Sequence, residues 1–535
     1  MASGPKTQMT ATCAWMALAS WSAILAAPAH AETTAEADAE VANRTQVIQV
    51  AQTSNQPIRV PRSQRPVPVQ IGAPPPVPVP VSPPIPEPVP GGTPAKAGIP
   101  QSLRWTEDWS NLADLAQRTS PLEALRYIPL GDDPRTYLSI GGEGRWNYTY
   151  YSSLNVGAKG KDKLSVLQQR LRLVGDLHIG PNFRAFVELG DNREFFEDTH
   201  TPPNRDKFDI MQAFVDVTIP FDATTKLTLR PGRFEMPIGN GKMVGLRDGV
   251  NVRFIYQGIR GTFVKKGLFR IDAFAVKPVT YDDGSAFDDK PEKGRHFNGI
   301  YAASVPGLII PDLAVDLYWY DLYRQNARYA TLTGTESRRT WGLRLSGRSN
   351  GFDYDGEWAY QNGSFAGEKI EAWGMLLEGG YSLKNAPLAP RFGGRINYFS
   401  GDSNPNDGKI GTFAPPFPRT PLYTDSGWFN FSNLFDVFPS VTLKPTKKLS
   451  IVTGPDFLWR ATKNDAVYAG PTNFPLIRPI GNRYVGTDLN FQVDYLATKN
   501  LSFHLYYTHF MASDAFQAGG GRSSDYFGFW TDVRF

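Results

Sequence analysis

One cysteine, Cys13, stands in 535 residues, and it falls within an N-terminal apolar stretch. That stretch reads as an export signal: Lys6 leads, an Ala-rich run extends from Ala14 to Ala27, and Ala29-His30-Ala31 forms an A-x-A cleavage site. Cleavage would leave the mature chain without a thiol, which excludes disulfides, cysteine zinc sites and a cysteine nucleophile. Cys13 also precedes most of the apolar run, which argues against a lipid anchor. After the first thirty residues no run approaches the roughly 18 to 20 apolar residues of a spanning helix, and a helical membrane protein is excluded. A formal charge of +4 is too close to balance to call for nucleic acid. The H-E-x-x-H metalloprotease motif is missing, the six histidines are dispersed, and Gly241-Lys242 runs into Met243 without the upstream glycine of a phosphate loop. Asp402, Asn404 and Asn406 imitate the start of a calcium loop, but Asp407 stands where glycine is required and Phe413 where the closing glutamate belongs. That stretch is read as turn chemistry. No enzyme activity, cofactor or metal is expected.

What the chain has in abundance is alternation. It ends on FGFWTDVRF, in which Phe527, Phe529, Val533 and Phe535 share one parity and Gly528, Asp532 and Arg534 the other. Successive side chains of a strand point to opposite faces, so this stretch has one apolar and one largely polar face. In TYLSIGGEGRWNYTYY, Leu138, Ile140, Trp146, Tyr148 and Tyr150 oppose Ser139, Glu143, Arg145, Asn147 and Thr149. In LQQRLRLVGDLHI, Leu167, Leu171, Leu173, Leu177 and Ile179 oppose Gln168, Arg170, Arg172, Asp176 and His178. Charges on the second face suit strands between lipid and water better than strands between core and water.

Connections alternate as well. Short links such as GPN, FDATTK, KKG, VPGLIIP, SNG, LKNAPLAP, TKK and TKN alternate with long polar excursions, which puts all tight turns at one end of a meander. The fold class expected is all-β: a transmembrane antiparallel β-barrel of about eighteen strands, the even number that bacterial barrels use. An even count puts both termini on one side, the periplasmic one, and the terminal Phe535 closes the last lipid-facing row. Barrels of 16 to 18 strands leave room for an aqueous channel.

Four pieces are distinguished: a signal peptide (1–31), a disordered proline-rich periplasmic linker (32–100), a periplasmic lead-in with a short helix over WTEDWSNLADLAQ (101–128), and the outer-membrane barrel (129–535). The run from Pro76 to Pro90, PVPVPVSPPIPEPVP, lacks the donors for helix or sheet and is expected as extended polyproline II. The bland role of residues 57–100 is a spacer, and the sharper one is docking to a periplasmic partner.

Five stretches carry a family resemblance: PLGDDPRTYLSIGGEGR (Pro129 to Arg145), GRFEMPIGNGKMVGLRDGVNVRFIYQGIR (Gly232 to Arg260), SGDSNPNDGKIGTFAPPFP (Ser400 to Pro418), FLWRATKNDAVY (Phe457 to Tyr468) and NRYVGTDLNFQVDY (Asn482 to Tyr495). In this order they resemble the alginate export family of outer-membrane porins over about 129–535. The resemblance implies a monomeric 18-stranded barrel whose arginine-rich constriction passes a uronate polymer outward. It does not fix constriction positions. The proline-rich insertion departs from the family pattern and implies an added partner.

Parity supplies the candidates independently. The lumen face carries Arg145, Arg170, Arg172, Arg184, Arg344 and Arg395, with Glu143, Glu188, Asp216 and Asp355 among its carboxylates. Guanidinium is a planar fork that matches a carboxylate and stays charged, so a ring of them would draw anions in and repel cations. Carboxylates on the same face keep binding weak enough for release. The alternative for each arginine is cross-strand pairing that merely solvates the lumen. Arg233 and Glu235 fall on the wrong parity unless Pro231-Gly232 bulges the strand. Three functions remain: passive export of an acidic polysaccharide such as alginate, uptake of small anions or carboxylates, and an anchoring role built on the proline strap. The expected partners are the anionic permeant and outer-membrane lipid.

Overall fold

The computed structural model describes residues 100–118, 120–158, 162–196, 204–329, 332–419, 426–469, 474–478 and 481–535. The signal peptide and all of the proline-rich segment but Pro100 lie outside the described residues.

Eighteen long strands follow in chain order: β1 Tyr137–Tyr151, β2 Leu164–Ile179, β3 Phe183–Phe195, β4 Asp206–Pro220, β5 Thr225–Phe234, β6 Tyr256–Lys265, β7 Phe269–Thr280, β8 Arg295–Ser304 and β9 Leu313–Arg328 form the first half. The second half is β10 Thr333–Ser349, β11 Phe352–Phe365, β12 Glu368–Ser382, β13 Arg391–Phe399, β14 Leu434–Thr446, β15 Leu449–Arg460, β16 Tyr484–Thr498, β17 Leu501–Ala512 and β18 Ser524–Arg534. Each pairs antiparallel with the next, and β18 pairs with β1 from Glu143↔Arg534 to Tyr151↔Tyr526, so the sheet closes on itself. Closure removes the sheet edge. Phe535 completes the seam by exchanging two backbone hydrogen bonds with Gly142, at 2.9 and 3.0 Å.

Exposure follows parity around the wall. Leu173, Val187, Ile300, Leu317, Trp341 and Phe392 are exposed, whereas the alternating Arg172, Glu188 and Asp316 are buried. An apolar face of this size turned outward is stable only against lipid. The cross-strand row Trp319↔Trp341, Trp341↔Tyr360 and Tyr360↔Trp373 lies on this outer face, and Trp373 stacks on Tyr398 at 4.5 Å. Such rows form the aromatic girdles of membrane barrels.

At one end the connections are all short: 180–182, 221–224, 266–268, 305–312, 350–351, 383–390, 447–448 and 499–500. The opposite end carries the long ones, but strict alternation fails twice, at 329–332 and at 366–367. The second is a two-residue turn with both residues at positive φ, Ala366 at 50° and Gly367 at 87°, matching the tight turn at Asn350 (50°) and Gly351 (89°). This turn type continues strand twist, so a long loop is not needed wherever β11 and β12 pair to their tips.

The loops of the long end fold inward. In the β5–β6 connection (235–255) and the β13–β14 connection (400–433), Val244 bridges Phe417, and Phe413 and Phe417 are fully buried. Gln361 on the inner face of β11 binds both the N–H and the carbonyl of Ala414, at 3.0 and 2.7 Å. Asn404 shapes the 402–407 turn by accepting from Asn406 N–H.

The short helix expected in the lead-in is replaced by three 3-10 turns, Arg104–Thr106, Ser110–Ala113 and Leu115–Gln117, and a single α turn, Glu123–Arg126. Trp105, Trp109 and Leu112 have helical spacing but are pulled to different partners. Trp105 enters the lumen, where the Arg230 guanidinium lies 4.6 Å from its ring, while Trp109 and Leu112 pack on Tyr127 and Tyr137. Arg104 binds the Gly142 and Phe535 carbonyls at 2.9 and 2.7 Å. Gly141 makes that approach possible, because a Cβ there would lie 2.2 Å from Arg104 Nη2.

Candidate functional site

The inner wall holds the polar parity of every strand, and all ten parity candidates sit on it with partners. Arg145 binds Asp532 at 2.8 Å and Asp248 at 3.1 Å. Arg170 meets Asp248 at 2.7 Å and Glu143 at 3.5 Å. Arg172 pairs with Glu188 and, at 3.1 Å, with Glu235. Arg184 pairs with Asp176 at 2.6 Å, and Asp216 with Arg230 at 2.6 Å. Arg344 bridges Asp316 and Asp355, both at 2.7 Å, and Arg395 joins Asp436 at 3.0 Å and Asp456.

These pairs form separate groups. Arg145, Arg170 and Arg172 belong to one group near the β1–β18 seam; Arg184 with Asp176, and Asp216 with Arg230, lie beside the lead-in. Arg344 with Asp355 and Arg395 with Asp456 stand on the second half of the wall.

The seam group is built around a residue that parity did not reveal. Asp248, in the β5–β6 connection, receives Arg145, Arg170 and Arg253, the last at 2.6 Å. Arg170 also donates to the Asn251 and Val250 carbonyls at 2.8 and 2.6 Å and is 0% exposed, so wall and loop are in direct contact here. Burial pushes the Asp248 carboxyl up, but Arg145, Arg253 and Arg170 outweigh it and hold the group well below the usual carboxylate range. Glu235 of the same connection takes Arg253 at 3.3 Å as well as Arg172, and Arg534 closes the group onto Glu143 at 3.0 Å.

The charges balance. Five arginines (145, 170, 172, 253, 534) face five carboxylates (Glu143, Glu188, Glu235, Asp248, Asp532) in one linked network. Three of these ten charges, Glu235, Asp248 and Arg253, ride on the loop, leaving four arginines and three carboxylates on the wall. Among these ten charges the wall share is therefore cationic by one, and the loop share neutralises it.

Pro231-Gly232 makes no bulge. The register runs unbroken from Ala213↔Arg233 and Phe214↔Gly232 to Val217↔Leu229, and Gly232 sits at φ 135° with its Cα face 2.4 Å, measured from an ideal Cβ, from the Ala213 carbonyl oxygen. Arg233 keeps the outward parity and reaches the Asp289 carbonyl at 3.0 Å, whereas Glu235 turns inward only after the strand has ended. The actual bulge in this region lies on β4 at Met211, between Glu188↔Gln212 and Leu189↔Ile210. Asp248 and Arg253 left no period-two trace because they are in a loop; their one sequence signal is the density of charged and Gly residues in GNGKMVGLRDGVNVRF.

The lead-in touches the same wall from the short-turn end. Arg253 donates to the Ser102 carbonyl at 3.1 Å, and Arg184 donates to that of Trp105. The lumen is thus occupied from both ends.

A family model described as alginate export matches residues 136–529. The chain belongs to the alginate export family. No curated protein matches the sequence. Among solved structures the barrel is similar to Acinetobacter baumannii OccAB1 (12% identity, 77% of this chain and 99% of that one, TM-score 0.52). It is also similar to Pseudomonas aeruginosa OccK1, also called OpdK (11% identity, 74% and 98%, TM-score 0.51), and to OpdK solved with vanillate (11%, 74% and 98%, TM-score 0.50). At these identities the likeness is one of fold. Family and fold make this alginate-export member an outer-membrane channel of the porin type rather than an enzyme.

Proposed function

We propose that this channel passively passes an acidic polysaccharide, alginate or a similar uronate polymer, outward across the outer membrane, with both chain termini in the periplasm. The observation that carries the reading is the convergence of Arg145, Arg170 and Arg253 on the single carboxylate of Asp248. Asp248 occupies the place that a uronate carboxylate would take. A carboxylate on a polymer can replace it one arginine at a time, since each exchange trades one charge-assisted hydrogen bond for another of the same kind. Displacing the loop exposes the cationic wall that the loop otherwise neutralises, and the carboxylates Glu143, Glu188 and Asp532 keep successive residues of the polymer from binding too firmly to leave. Arg184, Arg344 and Arg395, with Asp216 and Asp355, extend the same chemistry along the wall. Synthesis of the polymer and its gradient supply the drive, and residues 57–100 supply a tether to a periplasmic partner.

Planar-bilayer conductance with mannuronate oligomers tests this. Oligomers should block the channel in a voltage-dependent way and more tightly than small anions of equal charge. Oligomers that neither enter nor block refute export of uronate polymers. The competing reading, uptake of small carboxylates, is favoured by the fold shared with a channel solved with vanillate. Under that reading aromatic monocarboxylates block at lower concentration than the oligomers.

A further inference from the structure

At the long-loop end, β4 begins with Asp206 and carries Asp209 three residues later, across a register shift, and the β7–β8 connection (281–294) brings Asp289 against both. One carboxylate oxygen from each lies within 4.8 Å of the others, and all three residues are buried. Asp206 is 1% exposed, and neither of its oxygens has a hydrogen-bond donor. Asp289 uses one oxygen to accept from Asp282 N–H at 2.9 Å and leaves the other, Oδ2, without a donor. Asp209 accepts from the N–H of Ile210 at 2.5 Å and of Asp289 at 3.2 Å. Among the described residues, Arg233 pairs with the group, 3.6 Å from Asp209. Three buried carboxylates thus face one guanidinium. A buried charge without a partner is expensive, and two positive charges are missing.

We propose that Asp206, Asp209 and Asp289 bind a divalent cation of the calcium class. The three described donors are all oxygens, which suits a hard cation. Oxygens within 4.8 Å of one another are close enough to share one coordination sphere with bonds of about 2.4 Å. Asp288, whose Oδ1 is buried without a donor, stands beside Asp289 as a further oxygen.

The site has a route to the constriction. Tyr281, next to Asp282, donates to the Arg253 carbonyl at 2.7 Å and accepts from Ile255 N–H at 3.3 Å. Lys207 ties the start of β4 to the Gly284 carbonyl at 2.6 Å. A cation here would clamp the β7–β8 connection to β4 and, through Tyr281, steady the loop that carries Asp248.

The test uses the full mature chain in detergent, stripped with a chelator and titrated with calcium chloride by calorimetry, with terbium luminescence excited through Tyr281 as a second readout. One saturable site is expected in the millimolar range or tighter, weakened about tenfold or more in D206N and in D289N and unchanged in D525N, which alters a half-buried carboxylate outside the cluster. Both asparagine variants are isosteric and remove repulsion, and heat-modifiable electrophoretic mobility verifies that they fold. Absence of saturable binding up to about 10 mM, or equal binding in D206N and D289N, overturns the site. A D206N variant that is more heat-stable than a wild type insensitive to calcium also overturns it, and assigns the cluster as protonated acids.

Discussion

Replacing Asp248 with asparagine tests the charge balance of the seam network most directly. The variant keeps a carbonyl oxygen for the three guanidinium groups now at 3.1, 2.7 and 2.6 Å but removes the charge they share. At an effective dielectric constant of about 20, a unit charge pair about 4 Å apart is worth about 4 kcal/mol, and leaving a buried charge uncompensated costs about 3–5 kcal/mol. The network goes from five charges of each sign to a surplus of one cation. An entering carboxylate recovers part of what was lost. If it regains one charge-assisted hydrogen bond, about 1.5–3 kcal/mol, its occupancy rises on the order of 10- to 100-fold. In planar bilayers under a salt gradient, the reversal potential should move toward the anion limit, and mannuronate block should tighten by that factor. A folded D248N channel with the wild-type reversal potential, or one shifted toward cations, refutes the argument that this loop carboxylate neutralises the wall.

Four further outcomes follow from the same geometry. Changing Arg170, Arg172 and Arg184 together to glutamine removes three cations, leaves Glu188 and Asp176 without an arginine and Asp248 with only Arg145 and Arg253, so the reversal potential should shift strongly toward cations; no shift refutes a lumenal role for these arginines. Deleting residues 101–118 withdraws Ser102 and Trp105 from Arg253 and Arg184 and should raise single-channel conductance, and unchanged conductance refutes the lead-in as an obstruction. Leu173→Arg places a charge at a half-exposed outward position on β2 and should cost about 2–4 kcal/mol in urea unfolding from lipid vesicles, with a loss near zero refuting the lipid-facing assignment. Asp248 is held below its unfolded value of about 3.9, so its contribution is fully present above that pH and is lost only as pH falls through the lower folded value. The difference in selectivity between wild type and D248N should therefore stay constant from pH 7 to about 4.5, and a difference that vanishes near pH 5–6 would contradict the assignment.

The wall was legible from residue order because a membrane strand obeys one rule. Leu171 and Leu173 meet lipid while Arg170 and Arg172 meet the interior, and a shift of one residue would exchange them at prohibitive cost. The strand count, closure and inward set of six arginines follow from repeating that rule. Loops obey no such rule. Nothing in a two-residue period foretells that Asp248 joins Arg145, more than a hundred positions away, or that Trp105 leaves a helix-like pattern to lie under Arg230. The short turn at Ala366-Gly367 escaped a length-based reading for the same reason: loop length at the long end depends on how far each pair of strands continues to hydrogen-bond.

Local chemistry, repeated strand after strand, dictated which side chains meet oil and which meet the interior, because the solvent on each side of a closed wall leaves each position a single choice. The partnerships of the inward charges were decided only when the loops and the lead-in folded into the cylinder. Whether an inward arginine is free or neutralised depends on a carboxylate brought from a distant part of the chain, and Coulomb attraction across a gap of about 3 Å is a property of the assembled volume rather than of neighbours in sequence.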